Sequence, residues 1–140
     1  MDTSLVLVSN PGSASRKYAL YCGDTLRAEL HFEWLNGEIV YTLLPDGKPI
    51  FANVAGLSEA STKIVPILQN SGVLGKSDNI GAIGLRVVAP GSYFLEHRLA
   101  DDELDKNLER VVGLAPIHVS AALEELASLK KQFSDAKIVC

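Results

Sequence analysis

The stretch LVLVSNPGSASRKYALYC, residues 5–22, consists of two apolar runs that are joined by a short polar turn. The first run, residues 5–9, is apolar on both of its faces, which is typical of a central strand covered on both sides. The second run, residues 16–22, is predicted to form the neighbouring strand. Two strands with a tight connection therefore predict that the chain begins with a β-sheet.

The turn at residues 10–17 has the residue types that bind phosphate. Gly12 permits backbone angles that other residues avoid, so we expect peptide N–H groups to converge on an anion there. Ser13 and Ser15 add hydroxyl donors, and Lys17 adds a positive charge. Asn10 offers an amide oxygen, a hard ligand that suits Mg²⁺ directly or through water. Many turns of this composition are only turns, so the residues alone leave both interpretations open.

The rest of the chain alternates between strand and helix patterns. Further strands are predicted over residues 27–35, 38–44, 49–54, 80–88 and 137–140, with a Pro-Asp-Gly hairpin turn after the second. Helices are predicted over residues 58–71, after an Asp101 cap and after a Ser120 cap. In residues 27–35, period two places Leu30, Phe32 and Trp34 on the buried face. The predicted class is α/β, one mixed sheet flanked by helices.

Composition limits the function classes. The net charge is −4 and no basic stripe is present, which argues against nucleic acid as a partner. The apolar runs are far shorter than the about 20 residues of a spanning helix, and there is no secretory signal pattern, so no membrane association is expected. Two cysteines without framework spacing are typical of a reducing cytoplasm, and we expect a cytoplasmic protein.

Three motifs, in order, resemble those of one kinase family. Residues 10–17, Asn-Pro-Gly-Ser-Ala-Ser-Arg-Lys, resemble the Asn-x-Gly-Ser-Ser-Ser-x-Lys of acetate kinases, which also follows a first strand. Residues 84–91, Gly-Leu-Arg-Val-Val-Ala-Pro-Gly, resemble the family's Gly-His-Arg-Val-Val-His-Gly-Gly. Residues 114–118, Leu-Ala-Pro-Ile-His, resemble its Leu-Ala-Pro-Leu-His. By order and spacing the chain is identified as a member of the acetate kinase family, which includes propionate and butyrate kinases.

The resemblance implies a fold and an activity. The fold would be an actin-like, ribonuclease H-like domain of the acetate and sugar kinase type, duplicated in the parent protein with the active site between two domains. The activity would be transfer of the γ-phosphoryl group of ATP to acetate or another short-chain carboxylate, which gives ADP and an acyl phosphate. Mg²⁺ would be the cofactor, and the parent would be a homodimer.

The resemblance also assigns roles to the first motif. Ser13, Ser15 and Lys17 would bind the phosphates of ATP, and Asn10 would help to bind Mg²⁺. The same family places its catalytic aspartate in a Phe-Asp-Thr-Ala-Phe-His segment, which we expect after Cys140. Residues 1–140 are therefore expected to be an N-terminal domain, truncated before that segment, with no catalytic residue of its own and no activity alone.

Assignments from the second and third motifs concern the carboxylate. Arg86 would hold the carboxylate or the acyl phosphate, while Val88 and Ile117 would line the pocket for the acyl chain. Leu85 and Ala89 stand where the family has its two motif histidines. These losses keep an alternative open, in which the protein is a diverged, non-catalytic relative that acts as a binding or dimerisation module.

Overall fold

Seven strands in the described part of the chain form one mixed sheet, which a computed structural model resolves together with the helices. The model describes residues 4–45, 47–88, 93 and 96–140, and the side chains of residues 117 and 118 lie outside this description. The strands are β1 (Leu5–Pro11), β2 (Ser15–Cys22), β3 (Thr25–Leu35), β4 (Glu38–Leu44), β5 (Ile50–Phe51), β6 (Ile80–Leu85) and β7 (Lys137–Val139). The helices are a 3₁₀ helix (Leu57–Lys63), α1 (Ile64–Asn70), α2 (Asp102–Val111) and α3 (Pro116–Gln132).

The strand order in the sheet is β5-β4-β3-β2-β1-β6-β7. Strands β1 to β5 pair antiparallel in chain order, whereas β1, β6 and β7 run parallel. This topology confirms the predicted mixed sheet with helices packed against it. The strand predicted over residues 49–54 shrinks to the two residues of β5, although the hairpin between β4 and β5 is present. The strand predicted over residues 80–88 ends at Leu85.

One face of the sheet carries the core. Alternate residues of the first three strands are buried there, including Leu7, Leu20 and Phe32, and α3 contributes Leu126 and Leu129. Because side chains alternate along a strand, each of these strands presents its other residues to the opposite face. That opposite face carries the mixed polar and apolar residues among which the candidate site lies.

Trp34 does not lie in the core, although its alternation with Phe32 predicts that it should. Its side chain is 52% exposed. It shares a face with Phe32, but it lies two residues before the turn at Asn36 and Gly37, beyond the buried part of β3. Period two therefore predicts the face correctly, whereas burial depends on how far the helices reach along the strand.

The helix boundaries follow from proline and capping residues. Pro66 lies in the first turn of α1, where its missing N–H is not needed, and the helix predicted over residues 58–71 is divided before it into the 3₁₀ helix and α1. Asp101 caps α2, with its Oδ1 accepting a hydrogen bond from the Leu104 N–H at 2.8 Å. The predicted Ser120 cap is wrong, because α3 already begins at Pro116 and Ser120 lies inside it. Proline is favoured at this first position for the same reason as at Pro66.

No helix in the described part of the chain has both the length and the apolar character needed to cross a membrane.

Loss of the α2 cap should destabilise the fold by a measurable amount. We expect Asp101→Ala to lower the free energy of unfolding by about 1 kcal/mol, because the Leu104 N–H loses its acceptor. Asp101→Asn keeps a side-chain oxygen at this position and should stay close to the wild type. Urea unfolding followed by circular dichroism measures both, and equal losses in the two variants would contradict the capping role.

Candidate functional site

Two of the sequence motifs meet at one edge of the sheet. Because β1 and β6 are parallel, their carboxyl ends lie side by side, with Ser9 opposite Leu85. The Arg86 N–H donates to the Ser9 carbonyl oxygen at 2.9 Å and so extends the ladder by one bond. The turn after β1 and the arginine after β6 are therefore neighbours, although 74 positions separate Gly12 from Arg86 in the sequence.

The turn between β1 and β2 is closed by its own backbone. The Gly12 N–H donates to the Ser15 carbonyl oxygen at 2.8 Å. Within the described part of the chain, the N–H groups of Ser13 and Ala14 donate to no other group, and Ser13 is exposed. Two peptide donors and the hydroxyls of Ser13 and Ser15 are thus available at the tip of the turn, which is the arrangement an anion requires.

Gly12 does not adopt the backbone angles, avoided by other residues, that are predicted for it. Its φ lies outside the left-handed region, which in the described residues is occupied by Gly23, Gly37 and Gly72 among the glycines. A Cβ added to Gly12 would come no closer than 3.4 Å to the carbonyl oxygen and the hydroxyl of Ser15. The backbone of the turn therefore does not require glycine here, and the prediction of special angles is wrong.

Asn10 and Lys17 face away from the core. They are direct partners in the antiparallel register of β1 and β2, so their side chains share one face of the sheet. Their neighbours Ser9 and Tyr18 are buried on the core face, which places Asn10 and Lys17 on the opposite one. Lys17 is exposed and Asn10 is half-buried, so both are accessible beside the turn.

Arg86 lines a cleft of about 390 Å³ on this same side of the sheet. The cleft floor includes Val8, which lies two residues before Asn10 on the accessible face, and Gly84 from β6. Arg86 is exposed, so its guanidinium is free to reach a ligand in the cleft. The structure therefore brings the predicted carboxylate-binding arginine and the predicted phosphate turn to one accessible surface.

The described residues include only part of the predicted acyl pocket. Val88 is 51% exposed and is not among the described residues that line the cleft, whereas its neighbour Val87 is. The side chain of Ile117 lies outside the described residues, as do Ala89 and the side chain of His118. The roles of Val88 and Ile117 therefore stay predictions.

Arg98 adds a second guanidinium to the cleft, which sequence reasoning missed. Its Nε donates to the Tyr93 carbonyl oxygen at 2.8 Å, and its Cζ lies 4.1 Å from the centre of the Tyr93 ring. The backbone of Arg98 is held by two hydrogen bonds to Cys140, of 2.8 and 2.7 Å. No local pattern predicts this placement, because it depends on the pairing of two segments that are distant in the sequence.

The site residues fit a phosphate better than they fit a metal ion. Among the described residues, no three His, Cys, Asp or Glu side chains come together as a metal site. Asn10 offers one amide oxygen, and its direct strand partner is the cationic Lys17. A neighbouring cation disfavours the binding of a bare Mg²⁺ ion at Asn10. Mg²⁺ binding by Asn10 therefore stays a prediction, and these residues do not form a magnesium site by themselves.

A buried polar cluster lies directly behind the turn, on the core face. Glu125 of α3 is fully buried, and its Oε1 accepts hydrogen bonds from the Ser9 hydroxyl at 3.0 Å and the Tyr18 hydroxyl at 2.7 Å. Its Oε2 lies 3.3 Å from Nε of Arg16, which is only 2% exposed. Both of these facing atoms lack a well-aligned hydrogen bond, so their interaction is an ion pair. The remaining guanidinium nitrogens contact Glu124, at 3.4 Å, and the turn.

Burial dominates the electrostatics of this cluster. Loss of solvation raises the pKa of Glu125, while the hydrogen bonds from Tyr18 and Ser9 and the charge of Arg16 lower it by less. Burial and the neighbouring Glu125 carboxylate also raise the pKa of Tyr18, so the phenol stays a donor. The partners of Glu125 therefore do not fully offset the solvation free energy that its carboxylate loses on burial. This buried ion pair is consequently weak evidence for added stability.

The cluster could have been found in the sequence. Arg16 has the same parity as the apolar Tyr18 and Leu20, so period two places it on the core face. Glu125 directly precedes Leu126 and lies four residues before Leu129, within the apolar stripe of α3. Two opposite charges at core positions of different elements predict a buried pair, although Arg16 falls on a variable position of the motif.

Comparison with known proteins points to one family. The model of the acetokinase family matches residues 5–140. An acetate kinase of Streptococcus equi subsp. equi is 29% identical over 98% of this chain and 36% of the relative, and a propionate kinase of Klebsiella pneumoniae is 30% identical over 92% and 32%. The crystal structure of Porphyromonas gingivalis acetate kinase superposes with a TM-score of 0.84 and 26% identity, over 97% of this chain and 36% of that one.

These matches confirm the predicted actin-like α/β fold of the acetate and sugar kinase type. The chain spans about 36% of the length of the curated relatives it matches first.

The raised pKa of Glu125 predicts a specific pH dependence of stability. A raised pKa means that the folded chain binds this proton more tightly than the unfolded chain, whose carboxyl has the ordinary pKa of 4.5. Proton binding by Glu125 therefore adds to the free energy of unfolding below pH 4.5, and this addition is lost as the pH rises through the folded pKa. We expect the stability of the wild type relative to Glu125→Gln to fall with rising pH over that window, as measured by urea unfolding.

Glu124→Gln is the matched control, because the side chain of Glu124 is 55% exposed and loses little solvation on folding. A stability difference between the wild type and Glu125→Gln that stays flat or grows with pH would contradict the dominance of burial.

Proposed function

The chain belongs to the acetokinase family, and we propose that it is the N-terminal part of a kinase that phosphorylates short-chain carboxylates with ATP. The observation that carries this proposal is that Arg86 pairs with Ser9, directly before the motif of residues 10–17, at the carboxyl ends of β1 and β6. A phosphoryl transfer between two anions needs donors for the phosphate and a cation for the carboxylate at adjacent places. This edge supplies both kinds of group.

The residues of the turn would receive the phosphates of the nucleotide. The free N–H groups of Ser13 and Ala14 and the nearby hydroxyls act as donors, and Lys17 lies on the adjoining accessible face as a point charge. Phosphoryl transfer depends mainly on positioning and on neutralising charge, which are the contributions that such groups make. Mg²⁺ would supply further neutralisation, with the amide oxygen of Asn10 as its proposed ligand.

Arg86 would hold the acceptor. Its planar guanidinium can grip two oxygens of a carboxylate or of an acyl phosphate at once. In the reaction, a carboxylate oxygen attacks the γ-phosphorus, the bond to the bridging oxygen of ADP breaks, and ADP leaves with that electron pair. Val88 and Ile117 are proposed to limit the acyl chain. Because the chain spans about 36% of its relatives, we propose that the complete reaction requires protein beyond these residues.

Setting and assembly follow the family resemblance. Because two cysteines without framework spacing are typical of a reducing compartment, we propose that the protein acts in the cytoplasm. A homodimeric parent is part of the same proposal.

One observation favours the second candidate function, a non-catalytic binding or dimerisation module. Leu85, which stands where the family motif has a histidine, is 3% exposed and belongs to the apolar core. This position therefore offers no polar group to a substrate in the cleft. A protein of this kind would bind phosphates at the turn without forming acyl phosphate.

Replacement of Arg86 separates these functions. In the intact protein we expect Arg86→Ala to lower kcat/KM for acetate by about 100-fold or more, because the acceptor loses its charged partner. Acyl phosphate formed from ATP and acetate or propionate is trapped with hydroxylamine and measured by its colour. Wild-type protein that binds ATP but forms no acyl phosphate would support the non-catalytic module instead.

Arg27→Ala is the matched control, since Arg27 is an exposed arginine near the start of β3, at the opposite end of the sheet. It should leave the rate unchanged. A rate that Arg86→Ala also leaves unchanged would exclude the proposed role of Arg86.

A further inference from the structure

The turn that would bind phosphate is held from behind by one side chain. Arg16 Nη1 donates to the carbonyl oxygen of Gly12 and, at 3.2 Å, to that of Ser15. These two carbonyls belong to the first and last residues of the turn. The Ser15 oxygen also accepts the hydrogen bond from the Gly12 N–H that closes the turn. A single guanidinium therefore bridges both ends of the turn.

Arg16 is in turn held by α3. Its Nε lies 3.3 Å from the Glu125 carboxylate, which is fixed by the hydroxyls of Ser9 and Tyr18. All four of these residues are buried, so little freedom remains for the guanidinium to leave the turn. The contacts form a continuous path from the middle of α3, through one carboxylate and one guanidinium, to the backbone of the turn.

Stability alone does not account for this arrangement. Removing a carboxylate and a guanidinium from water costs solvation free energy that the attraction between the two charges often does not offset. An apolar pair of similar size often stabilises a core equally well. The raised pKa of Glu125 agrees, because it shows that burial is only partly compensated. What a charged pair provides here, and an apolar pair would not, is a set of directed donors for two backbone carbonyls.

We infer that Arg16 and Glu125 are positioning residues for the phosphate turn. With the Gly12 carbonyl held on the core side, the N–H of the same planar trans peptide group, which is that of Ser13, is directed the opposite way, outwards to the ligand. The inference rests on the proposed function, because it takes phosphate as the ligand of the turn. Neither residue touches the ligand, so they act through the backbone of residues 12–15.

Amide hydrogen exchange tests the positioning without any ligand. In Glu125→Gln, we expect the Gly12 N–H to exchange about tenfold faster or more. The reason is that the Arg16 guanidinium, without its ion pair, no longer holds the Ser15 carbonyl oxygen that accepts this hydrogen bond. The Gly23 N–H, which donates to the Ser4 carbonyl oxygen at 3.2 Å at the other end of the same hairpin, should keep its wild-type rate. An unchanged Gly23 rate also shows that the variant is folded.

Pyrophosphate titration, followed by the amide signals of Ser13 and Ala14, tests the effect on binding. We expect the dissociation constant to rise about fivefold or more in Glu125→Gln, because the donors are no longer preorganised. Arg16→Lys should fall between the wild type and Glu125→Gln, since a lysine keeps the charge but cannot bridge two carbonyls.

Lys130→Met is the matched control for a lost ion pair of α3. Lys130 binds Asp105 of α2 at 2.8 Å, away from the turn. It should change neither the Gly12 exchange rate nor the pyrophosphate affinity.

The outcomes distinguish the two proposals. An unchanged Gly12 exchange rate in a folded Glu125→Gln variant would overturn the positioning role, whatever the affinity. Faster Gly12 exchange in a chain whose wild type gives no response to pyrophosphate would support the hold on the turn and overturn phosphate as its ligand. Faster exchange together with weaker binding supports both.

Discussion

The pairing of β1 on both of its sides is the constraint on which the rest of the structure depends. On one side β1 runs antiparallel to β2, which places a tight turn at its carboxyl end. On the other side it runs parallel to β6, which places the carboxyl end of β6 next to that turn. A connection between parallel strands must cross the sheet, so the residues after β6 come from a distant part of the sequence. Chemistry from two motifs therefore meets at one edge.

This edge has two different environments. The accessible side carries Asn10, Lys17 and Arg86, where water screens the charges and a ligand can approach. The core side carries Arg16 and Glu125, which are buried from water and whose geometry is fixed by their protein partners. Because neighbouring residues of a strand point to opposite faces, adjacent Arg16 and Lys17 belong to different environments despite having the same charge. The alternation of side chains along the strand therefore places Arg16 behind the turn and Lys17 on the face that solvent reaches.

Local patterns predicted the parts of the fold that depend on local physics. The first hairpin and the Asp101 cap both follow from the geometry of one turn or one strand pair. The predicted start of α3 is wrong because proline and serine both favour helix starts, and Pro116 begins the helix four residues before Ser120. The predicted burial of Trp34 is wrong because burial is decided by the helices packed over the strand. In the candidate site, the motifs indicate the turn and Arg86, whose roles stay predictions, whereas the placement of Arg98 depends on tertiary pairing that no local pattern contains.

Gly12 is a residue whose type the fold itself does not require. Its backbone angles suit any amino acid, and the space around its Cα would accept a methyl group at 3.4 Å from its nearest neighbours. The fold alone therefore does not require glycine at position 12. If the turn binds phosphate as proposed, close approach of the ligand to the backbone is a reason for glycine that the fold does not supply. Under that proposal, a library of variants screened for folded protein would accept alanine at position 12, whereas a library screened for phosphate binding would select glycine.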